Sequence, residues 1–447
     1  MHRIAVSVRK IGTTLLLFLL SVPRAPAGPQ SGSVSETEEP GWPQFRGPRR
    51  DGVCEETGLM RKWPEGGPKR LWTASRIGHG YSSPIIAEGA LYITGDVDDA
   101  LVISAFDLDG PLRWKTTNGR SWKGPWPGAR ASCSYDEGRL YHMNAHGRVV
   151  CLDPADGKEI WAVDALERFG AGNISWGVSE CLLVDGDRVI VTPGGAKSLM
   201  AALDKKTGET VWSSEPLRFQ RTRRSGGEAV DPPLPDADKA GYAYPILCEL
   251  GGHRLIAGCS ARHLFCVDAE TGKILWTHQI PTRYEVIGSI PLLWRDSIFF
   301  TAPDDFGGQM FRVRADGDRV RFEKLWETPL DNCHGALVLV DGRLYGSGYR
   351  RFRGWACIDA STGEMLYSDR NLANGSVIHA DGRLYVLAED GVMALLKPTP
   401  NGFETAGRFR LVDGPQRQDA WAHPVICRGR LYLRRHDDLF CYDIRER

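Results

Sequence analysis

The sequence predicts an all-β fold, an eight-bladed β-propeller of four-stranded antiparallel blades with its ring closed by an N-terminal strand. Three observations carry that expectation. One phrase recurs at blade-sized intervals, a hairpin signal precedes each copy, and the two ends of the array complement each other.

The phrase is small residue, x, Asp, three residues, Gly, three residues, aromatic. It reads Cys151, Asp153, Gly157, Trp161; Ala202, Asp204, Gly208, Trp212; Cys266, Asp268, Gly272, Trp276; and Cys357, Asp359, Gly363, Tyr367. A copy one residue shorter runs Ala105, Asp107, Gly110, Trp114, and degenerate copies end at Trp326 and Phe409. The residues before Asp alternate and are β-prone, as in Arg148 to Leu152. Asp and Gly supply turn chemistry, and alternation resumes towards the aromatic. Each phrase is therefore the last hairpin of a sheet. Upstream sit Asp136-Glu137-Gly138, Asp341-Gly342, Asp381-Gly382 and Arg428-Gly429, each between apolar runs, which is a strong hairpin signal. Two hairpins give four strands, one blade.

The anchors Trp72, Trp114, Trp161, Trp212, Trp276, Trp326, Tyr367 and Phe409 are spaced 42, 47, 51, 64, 50, 41 and 42 residues apart. That spacing suits four-stranded blades. Lys69 to Trp72 reads as a last strand with no blade before it, and the final copy stops after Cys441-Tyr442-Asp443. The N-terminal strand is expected to complete the last blade and remove two open sheet edges.

Lysine plus arginine and aspartate plus glutamate are equal at 56 each. A generic nucleic-acid binder carries a basic excess, so nucleic acid is not an expected partner. Residues 1–27 read as a signal peptide: Arg3, Arg9 and Lys10 lead an apolar run from Ile11 to Val22, and Ala25-Pro26-Ala27 supplies a cleavage site before Gly28. The run is too short to span a bilayer, which takes roughly 20 residues. An exported chain, periplasmic or extracellular, with no transmembrane span once mature is expected; an uncleaved anchor is the alternative. Residues 28–68 read as a flexible lead-in and N-terminal segment, and 69–447 as the propeller.

This repeat resembles that of the pyrroloquinoline-quinone (PQQ) repeat superfamily, over roughly residues 70–447. Gly41-Trp42-Pro43-Gln44-Phe45-Arg46-Gly47-Pro48 is also similar to the opening of exported PQQ-like propellers related to BamB. The resemblance implies a non-catalytic, monomeric scaffold that binds a protein or cell-envelope component without a cofactor. Its alternative is an oxidoreductase using PQQ with Ca²⁺. In such enzymes the quinone lies against a disulfide between adjacent cysteines, and this chain has no adjacent pair. No metal site is expected.

Of the eleven cysteines, Cys151, Cys266, Cys357 and Cys441 occupy the slot filled elsewhere by Ala105 and Ala202. Cys133, Cys181, Cys248 and Cys427 also fall on strand positions. All eight read as buried packing residues, with cross-strand disulfides as the alternative. The periodic tryptophans read as wedges between blades. The acidic turns at Asp96 to Asp99 and Asp304-Asp305 read as hairpin tips. Two loops stand out: the insertion 213–240, rich in Arg and Pro, and the basic-aromatic hairpin Tyr349 to Trp355.

The residues entering the innermost strands should ring one mouth of the central channel. Tyr81, Arg130, Trp176, Tyr244, His334, Asn374, Trp421 and His423 are the candidate ligand-binding set there, suited to a small polar ligand or a peptide. Tight packing at a crowded, wet axis is the competing account. No catalytic residue is assigned.

Overall fold

The computed structural model describes residues 41–446 except 224–227, 305, 317–318 and 415–418. The signal peptide, the lead-in up to residue 40, Arg224 and Asp305 lie outside the described residues.

Eight four-stranded antiparallel blades follow one another along the chain. Their innermost strands are Ile85–Ala87, Ser134–Asp136, Leu183–Asp185, Ile246–Leu250, Leu292–Trp294, Leu337–Val340, Gly375–Ala380 and Val425–Cys427. The eighth blade takes its outermost strand from the start of the propeller. Lys69–Ser75 pairs antiparallel with Asp438–Asp443, so the ring is closed as the chain ends implied. The seventh blade gains a fifth strand, Val53–Cys54, parallel to Gly375–Ala380.

Burial follows from stacking each sheet between two others. Middle strands such as Ala100–Asp107 and Arg383–Ala388 are buried along nearly their whole length, which is why they read as largely apolar runs. Outermost strands such as Leu112–Arg120 are mostly exposed.

The repeated phrase has a packing meaning that goes beyond a turn. Trp114 donates its indole N–H to Pro154 O (3.0 Å), Trp161 to Lys205 O (3.0 Å), Trp212 to Ala269 O (3.2 Å), Trp326 to Ala360 O (3.1 Å) and Trp72 to Leu108 O (2.9 Å). Every acceptor sits in the next blade's Asp-to-Gly turn. The ring lies over that turn's glycine: a Cβ on Gly157 would lie 2.6 Å from Trp114, on Gly208 2.7 Å from Trp161, and on Gly363 2.6 Å from Trp326. The glycine is thus required twice, for a positive φ and for the indole above it. Asp holds the turn, as where Asp204 Oδ1 accepts from the N–H groups of Lys206 and Thr207. One residue before each wedge the outer strand bulges, at Ile160, Val211, Leu275, Leu325 and Leu366 for example. A bulge bends the strand and re-aims the side chain after it. Cys151, Ala202, Cys266, Cys357 and Cys441 pair directly with the wedges, and in the fifth blade Met310 takes that place opposite Trp326. All eleven cysteines are free and buried.

Two sequence expectations need correction. In the seventh blade the residue after the bulge is Gly407, not the aromatic Phe409. Trp63 covers Gly407, while Phe409, two residues further on, meets Gly67. The degenerate blade borrows its wedge from the N-terminal segment. The boundary at residue 69 also leaves out structure, because residues 41–63 are packed against the ring. Trp42 exchanges two backbone hydrogen bonds with Ile86 at 2.8 Å, Met60 N–H donates to Ile444 O at 2.7 Å, and Trp63 N–H donates to Ala406 O at 2.9 Å. Buried Trp42, Leu59 and Trp63 explain why this stretch does not behave as a polar linker. Within the insertion, Arg218–Arg223 and Ala229–Ala237 form a two-stranded hairpin.

Gly138 and Gly157 test the wedge, since both have φ near +70° in one blade but only Gly157 lies under a ring. Gly138→Ala is expected to cost about 1 kcal/mol, the strain of a left-handed alanine. Gly157→Ala should cost roughly 1–3 kcal/mol more through overpacking. Urea midpoints of both variants check this, and equal shifts would refute the wedge account.

Candidate functional site

The channel is closed at depth by the N-terminal segment. Arg50 donates to Leu182 O (3.1 Å) and Cys181 O (2.7 Å), at the start of the third blade. Arg46 reaches the opposite side, donating to Val377 O (3.0 Å), to Leu337 O and to His423 Nδ1 (3.0 Å). Both guanidiniums are buried, and burial lowers Arg46 to about 10 despite Asp51 nearby. Tyr135 N–H donates to Pro43 O and His379 N–H to Gly52 O, each at 2.8 Å. The segment therefore crosses the axis between the second, third, sixth, seventh and eighth blades. It leaves Phe45 pointing up the channel, 4.6 Å from the Tyr244 ring and 4.8 Å from that of His423.

Above Phe45 opens a cavity of about 420 Å³, and nine of its twenty lining residues are Phe, Tyr or Trp. Seven of the eight rim residues named from sequence line it: Tyr81, Arg130, Trp176, Tyr244, His334, Trp421 and His423. Asn374 does not; it is half-buried, with its carbonyl accepting from Glu389 N–H. The missed residues arrive from other loops: Phe45 from the N-terminal segment, Trp126 from the loop after the first blade, and Tyr284 from the loop after the fourth. Tyr349, Arg350 and Asp304 complete the wall, so both the basic-aromatic hairpin and one acidic turn reach the site. That hairpin is fixed from beneath. The fully buried Asp331 carboxylate accepts N–H bonds from Tyr349, Arg350, Arg351 and Phe352.

Trp421 sits at the centre of one wall. Its ring lies 4.8 Å from Tyr81, 5.0 Å from Trp126 and 4.8 Å from His334. Arg130 donates to the carbonyls of Pro125, Trp126 and Gly128 and lies over Trp122, and burial lowers it to about 10. Three of its five N–H donors are used, which leaves two for a ligand. Arg350 lies over Tyr284 and Tyr349 and bonds Asp304 at 3.2 Å.

The two histidines differ in charge. Burial disfavours the cation of His334, but interaction with the Cys333 side chain and with the Glu389 carboxylate, 2.7 Å from Nε2, outweighs it and raises the group to about 10. His423 is pushed well below the ordinary value by burial and by Arg46, and its Nε2 donates to His334 O at 3.1 Å. A donor, an acceptor, one fixed cation and stacking surfaces thus face one space.

A family model described as outer membrane protein assembly factor BamB matches residues 98–302. A BamB from Nitrosomonas eutropha is 26% identical over 258 residues, 55% of this chain and 52% of that protein. Quinohemoprotein alcohol dehydrogenase ADH IIB of Pseudomonas putida is 26% identical over 155 residues, 33% of this chain and 20% of the enzyme. The chain thus matches about half of one curated relative and a fifth of the other. Among solved structures, BamB from Moraxella catarrhalis superposes with a TM-score of 0.56 at 15% identity, covering 85% of this chain and 98% of that one. The quinohemoprotein alcohol dehydrogenase of Comamonas testosteroni gives 0.60 at 12% identity, covering 91% and 81%. Fold and repeat define the class as an eight-bladed PQQ-repeat propeller. Within that class the chain is a BamB-like PQQ-repeat β-propeller.

The alcohol dehydrogenase likeness implies PQQ with Ca²⁺. Calcium takes six to eight oxygen ligands, carboxylates foremost. Asp304 is the one carboxylate lining the cavity, and it is bound to Arg350. Among the described residues no three His, Cys, Asp or Glu side chains come together as a metal-binding group. This donor set does not fit the ion.

Histidine ¹⁵N NMR should find His334 protonated up to about pH 10 and His423 neutral at pH 6. The His334 pKa is raised on folding, so its stabilisation is complete below about pH 6.5 and is lost as pH rises through about 10. Glu389→Gln should move that transition to lower pH; an unmoved transition would discount the ion pair.

Proposed function

We propose that this chain is an exported, monomeric, non-catalytic scaffold that binds a protein or cell-envelope partner through the aromatic mouth of its channel. The observation that carries this reading is the cavity itself, open on one side, floored by Phe45 and walled by Trp126, Trp421, Tyr81 and Tyr284. Aromatic rings are frequent energetic anchors of interfaces, since they bury large area at little entropic cost. The BamB relatives, described as outer membrane protein assembly factors, support the partner class. Cleavage before Gly28 and a propeller domain from residue 69, preceded by its packed N-terminal segment, belong to the same proposal.

A quinone-dependent oxidoreductase is the second reading, favoured by the alcohol dehydrogenase matches. The two separate cleanly by experiment. Full-length chain used as bait in envelope extracts should enrich membrane proteins. Replacing Trp421 and Trp126 by Ala should reduce recovery at least tenfold, about 1.4 kcal/mol, while thermal stability stays near that of the parent. Recovery of soluble exported proteins alone would count against the scaffold. Stoichiometric binding of PQQ with Ca²⁺, followed by absorbance, together with dye reduction would establish the oxidoreductase instead.

A further inference from the structure

Arg130 stands in the loop between the first blade's outermost strand and the second blade's innermost one, and it lines the cavity. Its guanidinium is pinned by that loop. Nη1 donates to Gly128 O at 2.5 Å, and Nη2 donates to Pro125 O at 3.0 Å and to Trp126 O at 2.7 Å. These bonds turn the loop back on itself and hold Trp126 at the mouth, 5.0 Å from the Trp421 ring. Trp126 is unfavourable there in two ways. It is 45% exposed, the one exposed aromatic ring among the described residues, and its φ of +53° lies in the left-handed region that bulky side chains avoid. Backbone strain of this kind persists where the surrounding structure over-determines it, and it gathers at ligand clamps.

The charges of the wall single out the same residue. Arg350 is matched by Asp304 and His334 by Glu389, whereas no carboxylate among the described residues bonds Arg130. Asp96 acts on it through space only, because its Oδ2 accepts instead from Trp122 N–H at 2.9 Å. The Nε–H and one Nη1 hydrogen of Arg130 are left over. Tyr242 lines the cavity as well. Its hydroxyl accepts from Trp176 N–H at 3.2 Å, which leaves its own proton to donate, and burial pushes the phenol up to about 12, so that proton stays on. A half-buried cation with spare donors gains most from an anion, since charge-assisted hydrogen bonds are roughly twice as strong as neutral ones. One unmatched positive charge calls for one negative charge, a carboxylate before a doubly charged phosphate. The volume of about 420 Å³ holds a side chain or two, not a folded domain.

We propose that Arg130 determines the specificity of this mouth, selecting a partner segment that carries an acidic side chain next to an aromatic or apolar one. The carboxylate takes the free donors of Arg130 and Tyr242, and its apolar neighbour lies against Trp126 and Trp421. This inference rests on the scaffold reading for the source of the carboxylate and adds the chemistry that is recognised.

The test is calorimetric titration of the native full-length chain at pH 7 with two capped dipeptides, acetyl-Glu-Phe-amide and acetyl-Gln-Phe-amide, which differ by one charge. The acidic peptide should bind at least tenfold more tightly. Arg130→Gln should erase that difference and leave the affinity for the neutral peptide within about threefold, and Tyr242→Phe should lower the affinity for the acidic one about two- to fivefold. Circular dichroism confirms that each variant is folded. Equal affinities in the native chain, or binding of neither peptide, would overturn the proposal. So would a parallel loss of both peptides in Arg130→Gln, which would make Arg130 a clamp for the Trp126 loop and nothing more. Phenyl phosphate binding more tightly than 4-phenylbutyrate would refute the single negative charge. Tighter binding of 4-phenylbutyrate than of the acidic peptide would give the site to a free acid and refute the peptide source. A chain that captures membrane proteins yet treats the two dipeptides alike keeps the scaffold reading and loses this inference. A chain that discriminates between them but recovers only soluble proteins loses the scaffold reading alone.

Discussion

The ring depends on one contact made repeatedly: an indole from one blade lying on the turn glycine of the next and donating to a carbonyl of that turn. Each such contact removes a large aromatic surface from water, and the N–H that would otherwise be buried unpaired finds an acceptor. Because each wedge points into its successor, the contact sets direction as well as adhesion, and a strand bulge before it supplies the angle. A single blade is a small sheet with two apolar faces and is marginal alone; stacking neighbours gives it a core. Closure through Lys69–Ser75 follows the same logic, because Trp72 of that strand lies on Gly110 of the first blade. The last blade is thereby hydrogen-bonded and wedged in one step.

Closing a propeller leaves a channel lined by the ends of short inner strands, whose carbonyls need donors. The N-terminal segment supplies them. Arg46 and Arg50 are buried without a carboxylate bonded to either guanidinium; carbonyls, Gln44 and His423 accept from them instead. Burying a charge this way is costly unless several hydrogen bonds replace its water, and a guanidinium offers five donors in a plane. The result couples the floor of the cavity to the ring. Moving Arg46 would free carbonyls in the sixth and seventh blades, tilt His423 and release Phe45.

Sequence periodicity made the architecture readable because the phrase encodes a local turn and an inter-blade contact in the same residues. Gly157 and Gly208 answer to both demands, so their spacing survives when neighbouring residues vary. The seventh blade was misread at Phe409 because the wedge over Gly407 comes from Trp63, far away in the chain, and periodicity carries no trace of a borrowed side chain. The mouth was legible for a different reason. Every inner strand begins at the axis, so Tyr81, Arg130 and Trp421 had to converge whatever the loops did. Trp126, Tyr284 and Phe45 come from segments outside the repeat, and only the folded chain brings them in. The pairing of His334 with Glu389 was hidden likewise, since 55 residues separate them.

Ring orientation bears on what such a mouth can hold. A planar, tricyclic quinone is best held between two parallel faces. Here Trp421 meets Tyr81 at 39°, Trp126 at 60° and His334 at 66°, so the aromatic groups form angled walls and not a pair of plates. Angled walls suit a ligand with depth in three dimensions, such as a peptide side chain or a small folded loop, which can touch several faces at once. The charges reinforce that preference. Arg350 and His334 are matched by Asp304 and Glu389, and Arg130 alone lacks a carboxylate bonded to it. On the proposed scaffold reading, binding would be dominated by apolar contact with a modest preference for one negative group, a balance that gives selectivity through shape and orientation more than through net charge.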